Sequence, residues 1–482
     1  MSPSESRDEL LSRIKRESLD LPDYQIVDVP EPQLYHDIFP FSEAPRIPLD
    51  GIVFPTDVPR DIWITDTTFR DGQQSREPYT VEQMVKLYEM EKRLGGPNNK
   101  ISMSEFFVYT ERDIQAVSRC LEAGKGSPQV TAWIRATKND VKLFKETADR
   151  IRRETGHELT ETGMLTSISD YHIFYKFGTG SARSKVVAEY LELAEEVLKA
   201  GFTLRCHFED STRADTFGVT VPFARKLMRL SEKYGQRVVI RYPDTLGVGV
   251  PWVEAALPRS IPKLTWVLRH MAGVPADCLE FHGQQDFQLG IPNATAAWMY
   301  GAARNNCTLL GIGERAGNVP LEIMVFMYAG LKGGFDGMDS RVITEIADYY
   351  QKELGFAIPP YWPIAGKNFN VTRAGIHADG ILKNIEMYLP FDTEKLLNRP
   401  PGVGITSYSG AAGIAFWINY YFGLHGPEKV GKDHPGIKRI VDETNKLWES
   451  GRTTALSDEE MAAYVARHAP DVYGKYKDRI RR

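Results

Sequence analysis

Cysteine is scarce in this chain: there are four in 482 residues, Cys120, Cys206, Cys278 and Cys307. Their wide separation, without a CxxC pair, excludes a disulfide framework and a zinc knuckle and fits a reducing cytoplasm. No run approaches the ~18 apolar residues of a membrane span. The N-terminus, MSPSESRDELLSRIKRESLDL, has acids throughout and lacks the apolar core of an export signal. Nor is there a basic excess, since 59 Lys+Arg face 64 Asp+Glu for a formal net charge of −5. Charge so interspersed excludes the clustered cationic face that nucleic acid or an anionic membrane requires, and a small molecule becomes the expected partner. The Gly-rich dinucleotide fingerprint is also missing after the first candidate strand, which counts against an open doubly wound sheet.

What is present is a change of texture. Residues 1 to about 20 read as a short charged helix, and the proline-rich segment LPDYQIVDVPEPQLYHDIFPFSEAPRIPLDGIVFP that follows cannot hold regular ladders, so it reads as an arm wrapping something. From Asp61, short apolar runs alternate with amphipathic segments. The candidate strands are DIWITD, KISMSEFF, QVTAWIRA, GMLTSIS, FTLRCHFE, RVVIRYPD, DCLEFHGQ and CTLLGIGE. Eight alternating units predict an α/β fold of the (β/α)₈ TIM-barrel type over 61–335, after an arm over 1–60. Thr80 and Gln83 stand in capping-box spacing at the start of the first barrel helix, and Gly95-Gly96 closes it. Beyond about residue 335 the strand texture fades, and VITEIADYYQKELGF, GAAGIAFWINYYFG, HPGIKRIVDETNKLWES and DEEMAAYVARHAPDVYGKYKDRIRR predict a helical module over 336–482.

Active sites of such barrels sit at the C-terminal ends of the strands. The polar residues there are Arg70 and Asp71 after strand one, His282 and Gln284 at strand seven, and Arg315 and Asn318 after strand eight. Closure places strand eight against strand one, so Asp71, His282, Gln284 and Asn318 can converge, and the i, i+2 spacing puts His282 and Gln284 on one face. A carboxylate, an imidazole and two amides form a mixed O/N donor set suited to Mn²⁺, Mg²⁺ or Co²⁺.

The strings DTTFRDGQQ, EDSTRAD, PDTLG, EFHGQQD and GIGERAGN, in this order over roughly residues 61 to 335, resemble the barrel of the 2-isopropylmalate synthase and homocitrate synthase family and its HMG-CoA lyase-like relatives. VTRAGIHADGILKNIEMYLPFD is similar to the segment that follows the barrel in the synthases and is absent from the simple lyases. The resemblance therefore implies Claisen-type condensation of acetyl-CoA with a 2-oxo acid, on a divalent metal with Mn²⁺ preferred. It implies Arg70 as donor to the oxygen on which charge develops, His377 and Tyr388 for proton transfer, and Glu209 as an orienting or relaying carboxylate. It also implies a homodimer whose active site is composite, because this segment crosses to the partner subunit in the synthases. The sequence departs from the family where most members read HxH at strand seven and this chain reads HGQ, with Gln284 in the place of a histidine. A neutral amide oxygen is a weaker donor for late first-row metals, so looser metal binding is expected. The region RPPGVGITSYSGAAG falls where the synthases carry a loop near the thioester, and it reads equally as a turn-rich linker.

For the 2-oxo acid, Arg135 falls where homocitrate synthases bind a distal carboxylate. His207 and Arg241 share a strand face with Glu209 and Thr245 respectively, so all four can point inward. A second substrate carboxylate is one partner for such cations; pairing of Arg135, His207 and Arg241 with barrel acids such as Glu105 and Asp210 is the other reading. The arm and the altered strand-seven motif resemble a distant branch of the family that takes oxaloacetate. That points to a 2-oxo dicarboxylate, oxaloacetate, and to citrate and CoA as products. Condensation with another 2-oxo acid to isopropylmalate, homocitrate or citramalate, a lyase, and an inactive binding barrel are the alternatives.

Overall fold

The computed structural model describes residues 23–177 and 182–479. The short helix expected over residues 1 to about 20 lies outside the described residues. By contacts the chain divides into two units, Met1–Asp339 and Ser340–Arg482.

The first unit is a closed barrel of eight parallel strands in sequential order: β1 Trp63–Asp66, β2 Ile101–Phe107, β3 Gln129–Arg135, β4 Glu161–Ser167, β5 Thr203–Glu209, β6 Val238–Asp244, β7 Leu279–Gly283 and β8 Arg304–Cys307. β8 pairs with β1, Trp63 opposite Arg304 and Asp66 opposite Cys307. The period-2 alternation of a strand explains the two-sided burial. Ile64, Phe106, Ile134, Met164, Phe208, Ile240 and Phe281 occupy alternate, buried positions and form the outer apolar layer beneath the helices. The intervening positions carry Thr65, Glu105, Arg205, Arg241 and Glu280, all buried, so the barrel interior is ionic where most barrels stack aliphatic side chains.

The first barrel helix, Val81–Gly95, has the predicted capping box between Thr80 and Gln83 and ends at Gly96, with φ 65°. The arm is extended and docks by its own backbone: Val27 N–H donates to Gly218 O (3.0 Å), Arg183 donates to Val27 O (3.0 Å), and Tyr171 donates to Leu34 O (2.6 Å). The eighth strand lies earlier than its apolar run, CTLLGIGE, suggests. β8 is RNNC, and Leu309–Gly311 form a tight turn with Leu310 at φ 58°. Polar Asn305 and Asn306 can be strand residues because their amides find partners inside, Asn305 on Ala294 O (2.7 Å) and Asn306 on Thr65 Oγ1 (3.1 Å).

A buried acidic pair stands between β1 and the first helix. Asp66 Oδ1 accepts from Thr68 N (2.9 Å) and Glu91 Oε2 from Ser104 Oγ (2.6 Å), while Asp66 Oδ2 and Glu91 Oε1 are buried with no partner among the described residues. Burial raises Asp66 to about 7 and Glu91 well above the usual carboxylate range. The folded state then binds more protons than the unfolded chain between the ordinary aspartate pKa and about 7. This contribution to stability is complete below the unfolded pKa and is lost as pH rises through about 7. Melting temperature is expected to fall from pH 5 to pH 8, and less steeply in Asp66→Asn; parallel slopes would remove Asp66 as the cause.

The second unit is mainly helical: Val342–Lys352, Gly375–Lys383, Thr393–Leu397, Ala411–Tyr421, Pro435–Glu449, Asp458–His468 and Pro470–Tyr476. Two short strands, Val371–Thr372 and Gly402–Val403, pair in parallel. Its core gathers Ile405, Ile414, Trp417, Phe422, Ile437, Ile440, Met461 and Val465. Among the described residues no helix is long and apolar enough to cross a membrane.

Candidate active site

At the C-terminal end of the barrel a cup of about 290 Å³ is lined by Arg70, Asp71, Gln74, Trp133, Leu165, His207, Glu209, Arg241, Pro243, Thr245, His282, Gln284, Glu314 and Arg315. The loop after β1 brings in Arg70 and Asp71, both buried. Arg70 donates from Nη1 to Asp71 Oδ1 (2.7 Å) and from Nε to Glu105 Oε2 (2.8 Å). Burial opposes the charge on Asp71, yet Arg70, His282 and the Asn318 amide outweigh it and hold the carboxyl below its usual range.

Three further predicted residues meet at Asp71 Oδ2. Asn318 donates to it at 2.7 Å and Gln284 at 3.4 Å, and His282 Nε2 lies 3.6 Å away. Gln284 and Asn318 reach this point because their backbones form an antiparallel bridge between the ends of β7 and the GIGERAGN loop. Gly313 is needed there, since a Cβ on it would stand 2.3 Å from Asn318 Oδ1.

The imidazole of His282 is oriented by a chain that begins at a charge. Glu280 is ionised: burial works against this, but Arg205 and Arg241 bring it down to about 2. As an acceptor it receives a hydrogen bond from the Thr65 hydroxyl (2.5 Å), Thr65 Oγ1 accepts from Asn306 Nδ2 (3.1 Å), and Asn306 Oδ1 lies 2.7 Å from His282 Nδ1. Nδ1 is therefore the donor, and the Nε2 lone pair faces Asp71 and Gln284. Burial, with Arg241 and Arg70, lowers the His282 pKa against the pull of Asp71, so the ring is neutral. Asn306, which holds the His282 ring, is not singled out by the sequence, because the apolar run places strand eight one residue beyond it.

Among the described residues no three His, Cys, Asp or Glu side chains group as a metal site. The donor set here is different in kind, one carboxylate, one neutral imidazole and two amides. Gln284 Oε1 and Asn318 Oδ1 are buried with no hydrogen-bond partner, two orphan oxygens beside an ionised carboxylate and an imidazole lone pair. These residues fit a divalent cation. Restoring the family's histidine, Gln284→His, is expected to tighten Zn²⁺ or Co²⁺ about tenfold relative to Mg²⁺. Calorimetric metal titration checks this, and an unchanged order of affinities would take Gln284 out of the donor set.

Other predicted residues separate. Glu209 lines the cup, bonded to Ser167 Oγ and to His172 Nδ1 (3.0 Å) with Lys176 at 3.6 Å; burial opposes its charge, but these neighbours hold it at about 2. Thr245 Oγ1 accepts from Asp210 N–H (2.8 Å) and keeps its own proton to donate. Arg135 is not among the cup-lining residues: its side chain is 63% exposed and its fork is taken by Asp140 (2.9 and 3.0 Å) on the following helix. His377 and Tyr388 belong to the second unit, where they are exposed and their ring centroids are 4.3 Å apart.

The family model described as HMGL-like matches residues 61–349, and the chain belongs to the HMGL-like family. Enzymes of this family depend on a divalent metal. Among curated relatives, the chain is 46% identical over 458 residues to the Citrate (Re)-synthase of Syntrophus aciditrophicus, covering 95% of this chain and 71% of that protein. It is 44% identical over 457 residues to the Citrate (Re)-synthase of Clostridium kluyveri, covering 95% and 98%. The 2-phosphinomethylmalate synthase of Streptomyces hygroscopicus is 33% identical over 90% of this chain and 96% of its own length.

Proposed function

We propose that this protein condenses acetyl-CoA with oxaloacetate and hydrolyses the CoA adduct, releasing citrate and CoA. The observation that carries the reading is the 44% identity maintained over 98% of the Clostridium kluyveri citrate synthase, joined to the convergence of Asp71, His282, Gln284 and Asn318 beside Arg70. Asp71, His282, Gln284 and Asn318 would hold the divalent ion, Mn²⁺ by preference, with Mg²⁺ or Co²⁺ as substitutes. When bound, it supplies Lewis acidity to the carbonyl of the 2-oxo acid.

The chain's own residues account for the rest. Arg70, fixed by two carboxylates, presents its remaining terminal nitrogen to an oxygen on which charge develops. Glu209 stays ionised and orients groups at the rim, and Thr245 donates its hydroxyl proton to a substrate oxygen. His377 and Tyr388 are the proton-transfer pair of this reading, contributed within a homodimer. The four cysteines are buried and form no disulfide, which supports a cytoplasmic setting.

The test is release of CoA by purified protein with oxaloacetate, 2-oxoglutarate, pyruvate and 2-oxoisovalerate in parallel. Oxaloacetate is expected to lead in kcat/KM by about tenfold or more, and a preference for 2-oxoisovalerate would overturn the substrate. His377→Ala is expected to lose about 10²-fold or more of the rate; near-full activity would remove His377 from the mechanism.

A further inference from the structure

The interior of the barrel holds more cationic donors than its own acids use. Arg205 is fully committed, Nε and Nη2 to Glu161 (3.1 and 2.6 Å) and Nη1 to Glu280 (2.7 Å). Arg241 is not. Its Nε donates to Glu280 Oε2 (2.6 Å) and its Nη1 to both oxygens of Glu105 (2.9 and 3.0 Å), while Nη2 is buried with no hydrogen-bond partner among the described residues. Arg241 has no exposed surface, yet it lines the cup. An unpaired nitrogen on a buried guanidinium is costly, and a ligand acceptor resolves the cost.

Its position says which part of the ligand arrives there. Arg241, Pro243 and Thr245 alternate down one face of β6 and its exit, and all three line the cup. Pro243 stands opposite His282 across β6 and β7. Arg241 therefore lies two residues, about 6.6 Å, deeper than the His282 level. A 2-oxo acid held by its oxo-acid end at His282 and Asp71 extends its far end towards Arg241. Beside it, His207 is a neutral ring at about 3, lowered by burial and by Arg241; its Nδ1 accepts from Trp133 (3.3 Å), and its Nε2 is buried 3.3 Å from Glu105. Gly163 leaves room for this packing, since a Cβ there would stand 2.7 Å from His207 Nε2.

We propose that Arg241 is the specificity-determining residue of the cup, its free Nη2 receiving the distal carboxylate of a 2-oxo dicarboxylate. Arg135, held outside by Asp140, does not serve this role. The inference rests on the condensation reading for its substrate but concerns a separate group. A 2-oxo monocarboxylate of the same length puts a methyl group against the unpaired nitrogen, a mismatch that sites built for hydrogen bonding reject strongly.

Arg241→Lys tests it, because lysine keeps a cation between Glu105 and Glu280 and removes the third nitrogen of the fork. The wild-type preference in kcat/KM for oxaloacetate over 2-oxobutyrate is expected to be about 10³-fold or more, and to shrink by about thirtyfold or more in Arg241→Lys, mainly through KM for oxaloacetate. A ratio within about threefold of wild type in a variant with unchanged melting temperature overturns the proposal. Should the variant fail to fold, the wild-type protein is titrated calorimetrically in Mn²⁺ with malate and with 2-hydroxybutyrate. Preference for malate by about a hundredfold supports the carboxylate site, and equal affinities sink it. If no oxo acid releases CoA, the condensation reading falls, while the same titration repeated on Arg241→Lys decides the role of Arg241: a malate preference reduced about thirtyfold supports it, and one within about threefold of wild type sinks it.

Discussion

Arg70→Lys is expected to lower kcat for CoA release by about 10²–10³-fold, the usual cost of losing one preorganised oxyanion donor. The geometry leaves lysine no way to compensate. Arg70 uses Nη1 on Asp71 and Nε on Glu105 and still has a terminal nitrogen to direct elsewhere. A lysine ammonium is a point charge on a flexible stem, without the planar fork that reaches two carboxylates from separate atoms. It would satisfy Asp71 or Glu105 and leave the other buried carboxylate short of a donor. The loss should fall on kcat more than on KM, because the interaction strengthens only as charge develops. A variant within about tenfold of the wild-type kcat would exclude Arg70 as that donor.

Asp71→Asn is expected to cost about 10³-fold or more in kcat, matching the several kcal/mol of charge stabilisation a bound divalent ion supplies, and to weaken that ion's binding in parallel. Asp71 is the meeting point of Arg70, Gln284, Asn318 and His282, and the only carboxylate in the proposed donor set. The isosteric amide keeps the shape and removes the charge, and Arg70 retains Glu105 as a partner, so folding should survive. Melting temperature is the control, and metal titration in the absence of substrate separates lost binding from lost chemistry. Retention of a tenth of the wild-type rate with normal metal affinity would place the ion elsewhere.

Both expectations rest on a site whose members were legible because each lies in a short local pattern. The DTTFRDGQQ, EFHGQQD and GIGERAGN strings mark strand ends, and the two-residue spacing of His282 and Gln284 puts them on one face without knowledge of any other element. Seven strands are likewise found where apolar alternation places them, since pleat period is a property of the local chain. The eighth was misplaced because its signal was read as an apolar run, whereas RNNC is buried through amides that depend on Ala294 in the preceding helix and on Thr65, 241 positions away in sequence.

The sequence by itself determined the barrel's strand rhythm, the carboxylate, imidazole and amide side chains gathered at the strand ends, and the departure at Gln284. Tertiary structure alone decided which charges are spent and which are free. Arg135 and Arg241 look alike along the chain, each at or near a strand end and within reach of acids. Folding gives Arg135 to Asp140 at the surface and seats Arg241 between Glu105 and Glu280 with one nitrogen left over. The same holds for Asn306, whose bond to His282 exists only because β7 and β8 lie side by side. The two hydrogen bonds that tie Asn306 to His282 and to Thr65 join residues 24 and 241 positions apart, and no local pattern encodes which of several buried partners a given donor will meet.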